Sequence, residues 1–188
     1  MVKSNTYTNT SFVYETKLNI PLEYKEKCID ALYNLKTHPV APRDKSFEDT
    51  FDEQNSGQVV ISNYNLVVEA PILKKLLDNI TKIIKHHVFP NYLEDQWDLN
   101  MASCWGGIYE KNGKALSHNH IPFYYSFVYY LKTSDQSSPM IFEGNDNLSI
   151  SVRDDLLLFF SSGQYHHVPP NKGEDRIFIA GNMELNQK

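Results

Sequence analysis

His118-Asn119-His120-Ile121-Pro122-Phe123-Tyr124-Tyr125-Ser126-Phe127-Val128-Tyr129-Tyr130-Leu131-Lys132 joins two histidines at i and i+2 to a long aromatic run. In an extended chain side chains alternate between faces, so positions two apart share one. The spacing predicts a strand on which His118 and His120 reach a common metal ion. The aromatic run beyond it suits a pleated, half-buried surface. A histidine taken singly is more often a core or surface residue than a ligand. Two imidazoles on one face are costly to bury without a shared partner, and a metal ion supplies one.

Outward from this stretch, the chain beyond Trp97 keeps the same texture. Strands are expected at Leu99 to Tyr109, Tyr124 to Lys132, Met140 to Phe142, Leu148 to Val152, Leu156 to Phe160, His166 to Val168 and Arg176 to Ala180. Turn residues separate them at Lys111-Asn112-Gly113, Gly144-Asn145-Asp146-Asn147, Ser161-Ser162-Gly163 and Pro169-Pro170-Asn171-Lys172-Gly173. Upstream, Pro21 to Leu35 has apolar residues at helical spacing. A second helix opens at Pro71 and carries Ile72, Leu73, Leu76, Leu77, Ile80, Ile83 and Ile84 towards Pro90. His86 and His87 fall in its last turn, where the helix dipole favours them as capping or surface groups, and His38 sits in a loop. The acidic stretch Ala41 to Gly57 reads as a solvated loop able to cover a site. Helices followed by short strands predict a mainly β protein with N-terminal helices, a jelly roll flanked by α-helices. We expect one domain over residues 1–188, with residues 1–97 as helical and loop support and 98–183 as the core.

A formal charge of −5, with lysines and arginines scattered, argues against a nucleic-acid surface. The longest purely apolar run is Leu156 to Phe160, too short to cross a membrane, and no apolar stretch follows the basic start. Cys28 and Cys104 are too few for a disulfide framework or a cysteine zinc site, so a cytoplasmic setting is expected.

A third ligand is available at His166-His167, whose neighbours on a strand point to opposite faces, so one of the two joins the site. Imidazole donors suit zinc, iron, nickel or copper. Arg176 then offers a planar fork for a carboxylate, beside the alternative of a surface pair with Glu174 or Asp175.

Together these residues resemble the 2-oxoglutarate and Fe(II)-dependent oxygenase superfamily, whose pattern is His-x-Asp/Glu, a distal His, and an Arg about ten residues beyond it. The chain most resembles the small phage-type subfamily. The matching stretches are Ser62-Asn63, Trp105 to Tyr109, Gly113 to His120, Tyr129-Tyr130-Leu131, Phe160-Ser161-Ser162, His166-x-Val168-x-Pro170 and Arg176-Ile177-x-Ile179-Ala180-x-Asn182. The resemblance implies a double-stranded β-helix, cupin-like in its core. It makes His118, His120 and His166 the metal ligands, with His166 chosen over His167 because it stands ten residues before Arg176. Arg176 becomes the 2-oxoglutarate anchor. The cofactors implied are Fe(II), with 2-oxoglutarate and O2 as cosubstrates, for hydroxylation of an unidentified substrate in the cytoplasm, the host's if the chain is phage-encoded. Two departures stand out. His120 occupies the place of the usual carboxylate, and Phe178 stands where many members have Ser, so that Tyr109 or Tyr124 would supply the second donor to the cosubstrate carboxylate.

Other readings of the same residues are a cupin enzyme, a three-His zinc enzyme and a non-catalytic jelly-roll binding module. The cupin motif requires a Glu shortly after His-x-His, and Glu143 is too distant.

Overall fold

The computed structural model describes residues 3–6, 12–37, 58–60, 65–88 and 96–188. Ala41 to Gly57, His38, Ser62, Asn63 and Pro90 lie outside the described residues. The strands are β1 (Lys3–Thr6), β2 (Phe12–Lys17), β3 (Gln58–Val60), β4 (Trp97–Tyr109), β5 (Ala115–His118), β6 (Tyr125–Lys132), β7 (Met140–Phe142), β8 (Leu148–Ile150), β9 (Leu156–Ser161), β10 (His166–Val168) and β11 (Arg176–Gln187). The helices are α1 (Leu22–Thr37), α2 (Leu66–Glu69) and α3 (Lys74–Val88). A larger sheet runs β1-β2-β9-β6-β11-β4-β3 and a smaller one β5-β10-β7-β8, with every strand pairing antiparallel.

The central strands of the larger sheet are buried on both faces, which explains why they read as unbroken apolar runs. Phe127, Tyr129 and Leu131 of β6, Leu157 and Phe159 of β9, and Ile177 and Ile179 of β11 face a layer built from Cys28, Leu32 and Leu35 of α1 and Leu76, Leu77, Ile80 and Ile84 of α3. The alternate residues Val128, Tyr130, Leu158, Phe160, Phe178 and Ala180 join Ala115, Met140, Phe142, Ile150 and Val168 of the smaller sheet. The expected jelly roll with helices on one sheet is therefore present. No helix among the described residues is long and apolar enough to cross a membrane.

Several expected elements shift. Pro71–Leu73 forms a 3-10 turn ahead of α3, which leaves Ile72 exposed and outside the apolar face assigned to it. β11 continues to Gln187 because its polar second half pairs with Trp97–Met101 of β4, a tertiary partner that overrides weak strand propensity. The strands β1, β2 and β3 and the short α2 carry no strong periodic signal and gain their order from neighbours. Lys25 of α1, largely buried, pairs with Asp155 at 2.9 Å in the turn before β9, fixing the helix layer to the sheet.

In β11 the register shifts between Ile177 and Phe178 against β6, and between Asn182 and Met183 against β4. The residues between these irregularities hold one alternation, with Phe178, Ala180 and Asn182 on the pocket side.

Candidate metal centre

His118 and His166 stand directly opposite each other where β5 pairs with β10, and their rings are 4.3 Å apart. Each ring places Nδ1 against the carbonyl two residues before it: His118 on Leu116 at 2.8 Å and His166 on Gln164 at 2.9 Å. A carbonyl only accepts, so Nδ1 carries the proton in both rings and Nε2 keeps the lone pair a metal needs.

His120 reaches the same place by another route. The sequence predicts it on the strand of His118, but β5 ends at His118 and the chain turns away through Asn119. Its ring nonetheless lies within 5.1 Å of both other imidazoles, and it packs against Trp105 at 5.8 Å and Phe160 at 6.3 Å. Its backbone is held by a bond from its N–H to the Ser162 carbonyl at 2.7 Å and by one from the Phe123 N–H to its own carbonyl at 3.0 Å. One ligand atom from each of the three histidines lies within 4.8 Å of the others. His167 points to the opposite face and places Nδ1 2.7 Å from Glu143 Oε1.

Burial keeps the cluster neutral. It pushes His118 below its ordinary value, although the Leu116 carbonyl and Glu143 pull the other way. Burial, then the neighbouring His118, pushes His120 down to about 3. His166 falls well below its usual range through burial and the two other rings. Neutral imidazole is the ligating form, so the arrangement is prepared for a cation.

Behind the histidines a narrow pocket of about 60 Å³ runs between the sheets. Arg176 and Tyr109 stand opposite each other at its base, while Ala180, opposite Trp105, marks the level of His120. Arg176 is 1% exposed. Its Nη1 donates to the Ser138 carbonyl at 2.9 Å and its Nη2 to the Tyr130 hydroxyl at 2.8 Å, and the guanidinium lies over the rings of Tyr130 and Tyr109. Its Nε is buried without a partner, and no carboxylate among the described residues pairs with it. The alternative pair with Asp175 is not made, since Asp175 accepts from the Tyr33 hydroxyl. A buried cation missing a hydrogen bond and a counter-charge fits an anionic ligand.

The pocket gathers His118, His120, His166, Arg176 and Tyr109 of the residues expected there. Tyr124 is a correction: it is 56% exposed and does not line the pocket, because the strand begins only at Tyr125. Tyr130, which accepts from Arg176, was missed. The alternation along β6 places it on the pocket face with Val128. Phe178 stacks on Tyr109 at 5.1 Å and covers Gly107, where any Cβ would collide with its ring.

No family model matches this chain, and neither does any curated protein. Solved structures do. A prolyl hydroxylase from Trichoplax adhaerens, in complex with a hypoxia inducible factor oxygen degradation domain peptide, is 16% identical with a TM-score of 0.70, over 94% of this chain and 84% of that one. A Pseudomonas putida prolyl-4-hydroxylase is 14% identical with a TM-score of 0.67, over 92% and 91%. A viral collagen prolyl hydroxylase of Paramecium Bursaria Chlorella virus-1, in complex with 2-oxoglutarate, is 11% identical with a TM-score of 0.61, over 91% and 94%. The likeness is one of fold, the double-stranded β-helix.

Proposed function

We propose that this chain is an Fe(II)- and 2-oxoglutarate-dependent oxygenase that hydroxylates an unidentified substrate, nearest the small phage-type subfamily. The observation that carries the reading is Arg176, a buried guanidinium without a carboxylate partner, opening into the same pocket as three neutral histidines. Arg176 and Ala180 are four residues apart, about 13 Å along a strand, a span that an arginine side chain and a five-carbon diacid together fill. Structures that share the fold include one in complex with 2-oxoglutarate and others of prolyl hydroxylases, which supports the same chemistry.

Bound here, ferrous iron with 2-oxoglutarate and O2 supplies an oxidant able to functionalise a C–H bond, giving succinate and CO2 as coproducts. His118 and His166 orient their Nε2 atoms through the bonds made by Nδ1. Arg176 Nε, aided by the Tyr109 hydroxyl, would hold a carboxylate of the cosubstrate, while Tyr130 and Ser138 hold the guanidinium still. Trp105, Val128 and Phe160 line the pocket with apolar surface and exclude water. His120 in place of a carboxylate leaves the ligand set one negative charge short, which raises the affinity of the metal for anionic cosubstrate and shifts its potential upward.

The test is optical. Metal-free protein given Fe(II) and 2-oxoglutarate without oxygen is expected to show a visible charge-transfer band, and Arg176→Met to lose it at the same concentrations. A wild-type protein that shows neither band nor 2-oxoglutarate binding, and retains zinc at full occupancy, refutes the proposal in favour of a three-His zinc enzyme.

A further inference from the structure

Buried polar side chains in this core are few, and three of them form a line. Asn182 on β11 stands opposite Ser103 on β4 and opposite Ser126 on β6. Its Nδ2 donates to Ser103 Oγ at 3.1 Å, and its Oδ1 accepts from Ser126 Oγ at 2.9 Å. Ser126 Oγ lies 2.7 Å from Ser162 Oγ, just beyond β9. Ser126, Ser162 and Asn182 are 1%, 0% and 3% exposed. The carboxamide oxygen only accepts, so the Ser126 proton goes to Asn182 and the Ser162 proton goes to Ser126. The result is a one-way chain of hydrogen bonds across four adjacent strands, β9-β6-β11-β4, at a single level on the pocket side.

The chain ends at the residue that holds His120. His118 and His166 are fixed twice, by the β5–β10 register and by a ring-to-carbonyl bond each. His120 has neither: it lies outside the strands, and its ring makes no hydrogen bond among the described residues. Its N–H donates to the Ser162 carbonyl, and the Ser162 N–H donates to the Tyr124 carbonyl, so Ser162 clamps both ends of the turn that begins at His120. Hydroxyls and an amide buried in an otherwise apolar layer add little net stability, but each demands its partner and so specifies one position for the backbone that carries it.

We propose that the Ser162–Ser126–Asn182–Ser103 ladder positions His120, making Ser126, Ser162 and Asn182 positioning residues for the third metal ligand. This rests on the three-His reading of the metal centre but not on 2-oxoglutarate or turnover. The ladder answers a need peculiar to the departure at His120: a ligand without a hydrogen bond to its own ring must be placed by its backbone.

Cobalt(II) titration of the metal-free protein tests it, because the visible ligand-field spectrum reports the donor set. Ser126→Ala and Asn182→Leu should weaken cobalt binding roughly tenfold or more, within the range usual for residues supporting a ligand. Both should shift the spectrum towards that of His120→Ala. Within a His120→Ala background, neither should weaken binding further; with His120 present, Ser126→Thr, which keeps the hydroxyl, should retain the wild-type spectrum. Equal losses with and without His120, or an unchanged spectrum in Ser126→Ala, overturn the inference. If Ser126→Ala does not fold, Ser162→Ala removes only the last hydroxyl and is read in the same cycle. A wild-type protein that takes up no cobalt overturns the metal centre itself, which separates that failure from failure of the ladder.

Discussion

At the scale of single residues, the site depends on a guanidinium whose Nε has no hydrogen-bond partner. Tyr130 accepts from Arg176 and stacks beneath it, so Tyr130→Phe leaves a second buried donor without a partner. The expected cost is about 1–3 kcal/mol of stability in urea unfolding. 2-Oxoglutarate should bind about tenfold more weakly in calorimetry, because an arginine free to turn no longer offers a fixed fork; unchanged affinity would show that Arg176 is held by Ser138 alone. Aspartate at position 120 is the complementary change. His120→Asp returns an anion to the ligand set and is expected to shift the charge-transfer band, with metal still bound. The sequence shows much of this site, because His118, His166 and Arg176 sit on strands whose alternation and spacing are readable. It does not show how His120 gets there, since the residue lies outside the strands. It misplaces Tyr124 because, in a run of aromatics, one residue of uncertainty at a strand start exchanges a pocket residue for an exposed one.

Among the elements, β4 and β11 carry the pocket floor between them. Phe178 occupies the space above Gly107 that a side chain there would need. Gly107→Ala therefore drives the Phe178 ring towards Tyr109 and Arg176, at an expected cost of about 1–3 kcal/mol from overpacking. A thermal melt and a 2-oxoglutarate titration check this together; a variant with lower stability but intact cosubstrate binding would show that the ring escapes elsewhere. The element pattern itself is readable wherever apolar content is dense, as in β6, β7 and β9. It failed where backbone pairing does the organising: Lys3–Thr6 is wholly polar and is a strand only because β2 lies beside it, and Glu184 to Gln187 is a strand only because β4 is.

In the whole molecule, the three clustered histidines, of which His166 is buried and His118 and His120 half-buried, link protons and stability. Each has a folded value depressed from an unfolded value near 6.5. Above that pH neither state binds protons at these groups. As pH falls below it, the unfolded chain takes up protons that the folded chain still refuses, down to about 3 for His120. Stability of the metal-free protein is therefore full above pH 6.5 and declines on acidification, by up to about 1.4 kcal/mol per pH unit for each histidine. Urea midpoints between pH 7.5 and 5.5 in the presence of a chelator should fall, and His166→Leu should flatten the dependence. A constant midpoint would contradict neutral burial of the cluster. Zinc or cobalt should raise the midpoint, because the folded rings are neutral and no proton competes for them.

The strand β11 bears the guanidinium at its start and the ladder amide six residues later, and its register irregularities fall outside the stretch from Phe178 to Asn182. Because faces alternate residue by residue, deleting one position within that stretch sends either Arg176 or Asn182 into the helix layer. Deleting two keeps both on the pocket side but brings them closer by about 7 Å. The strand can thus change length only in even steps, each of which resets the distance between the guanidinium and the amide that the histidine turn depends on.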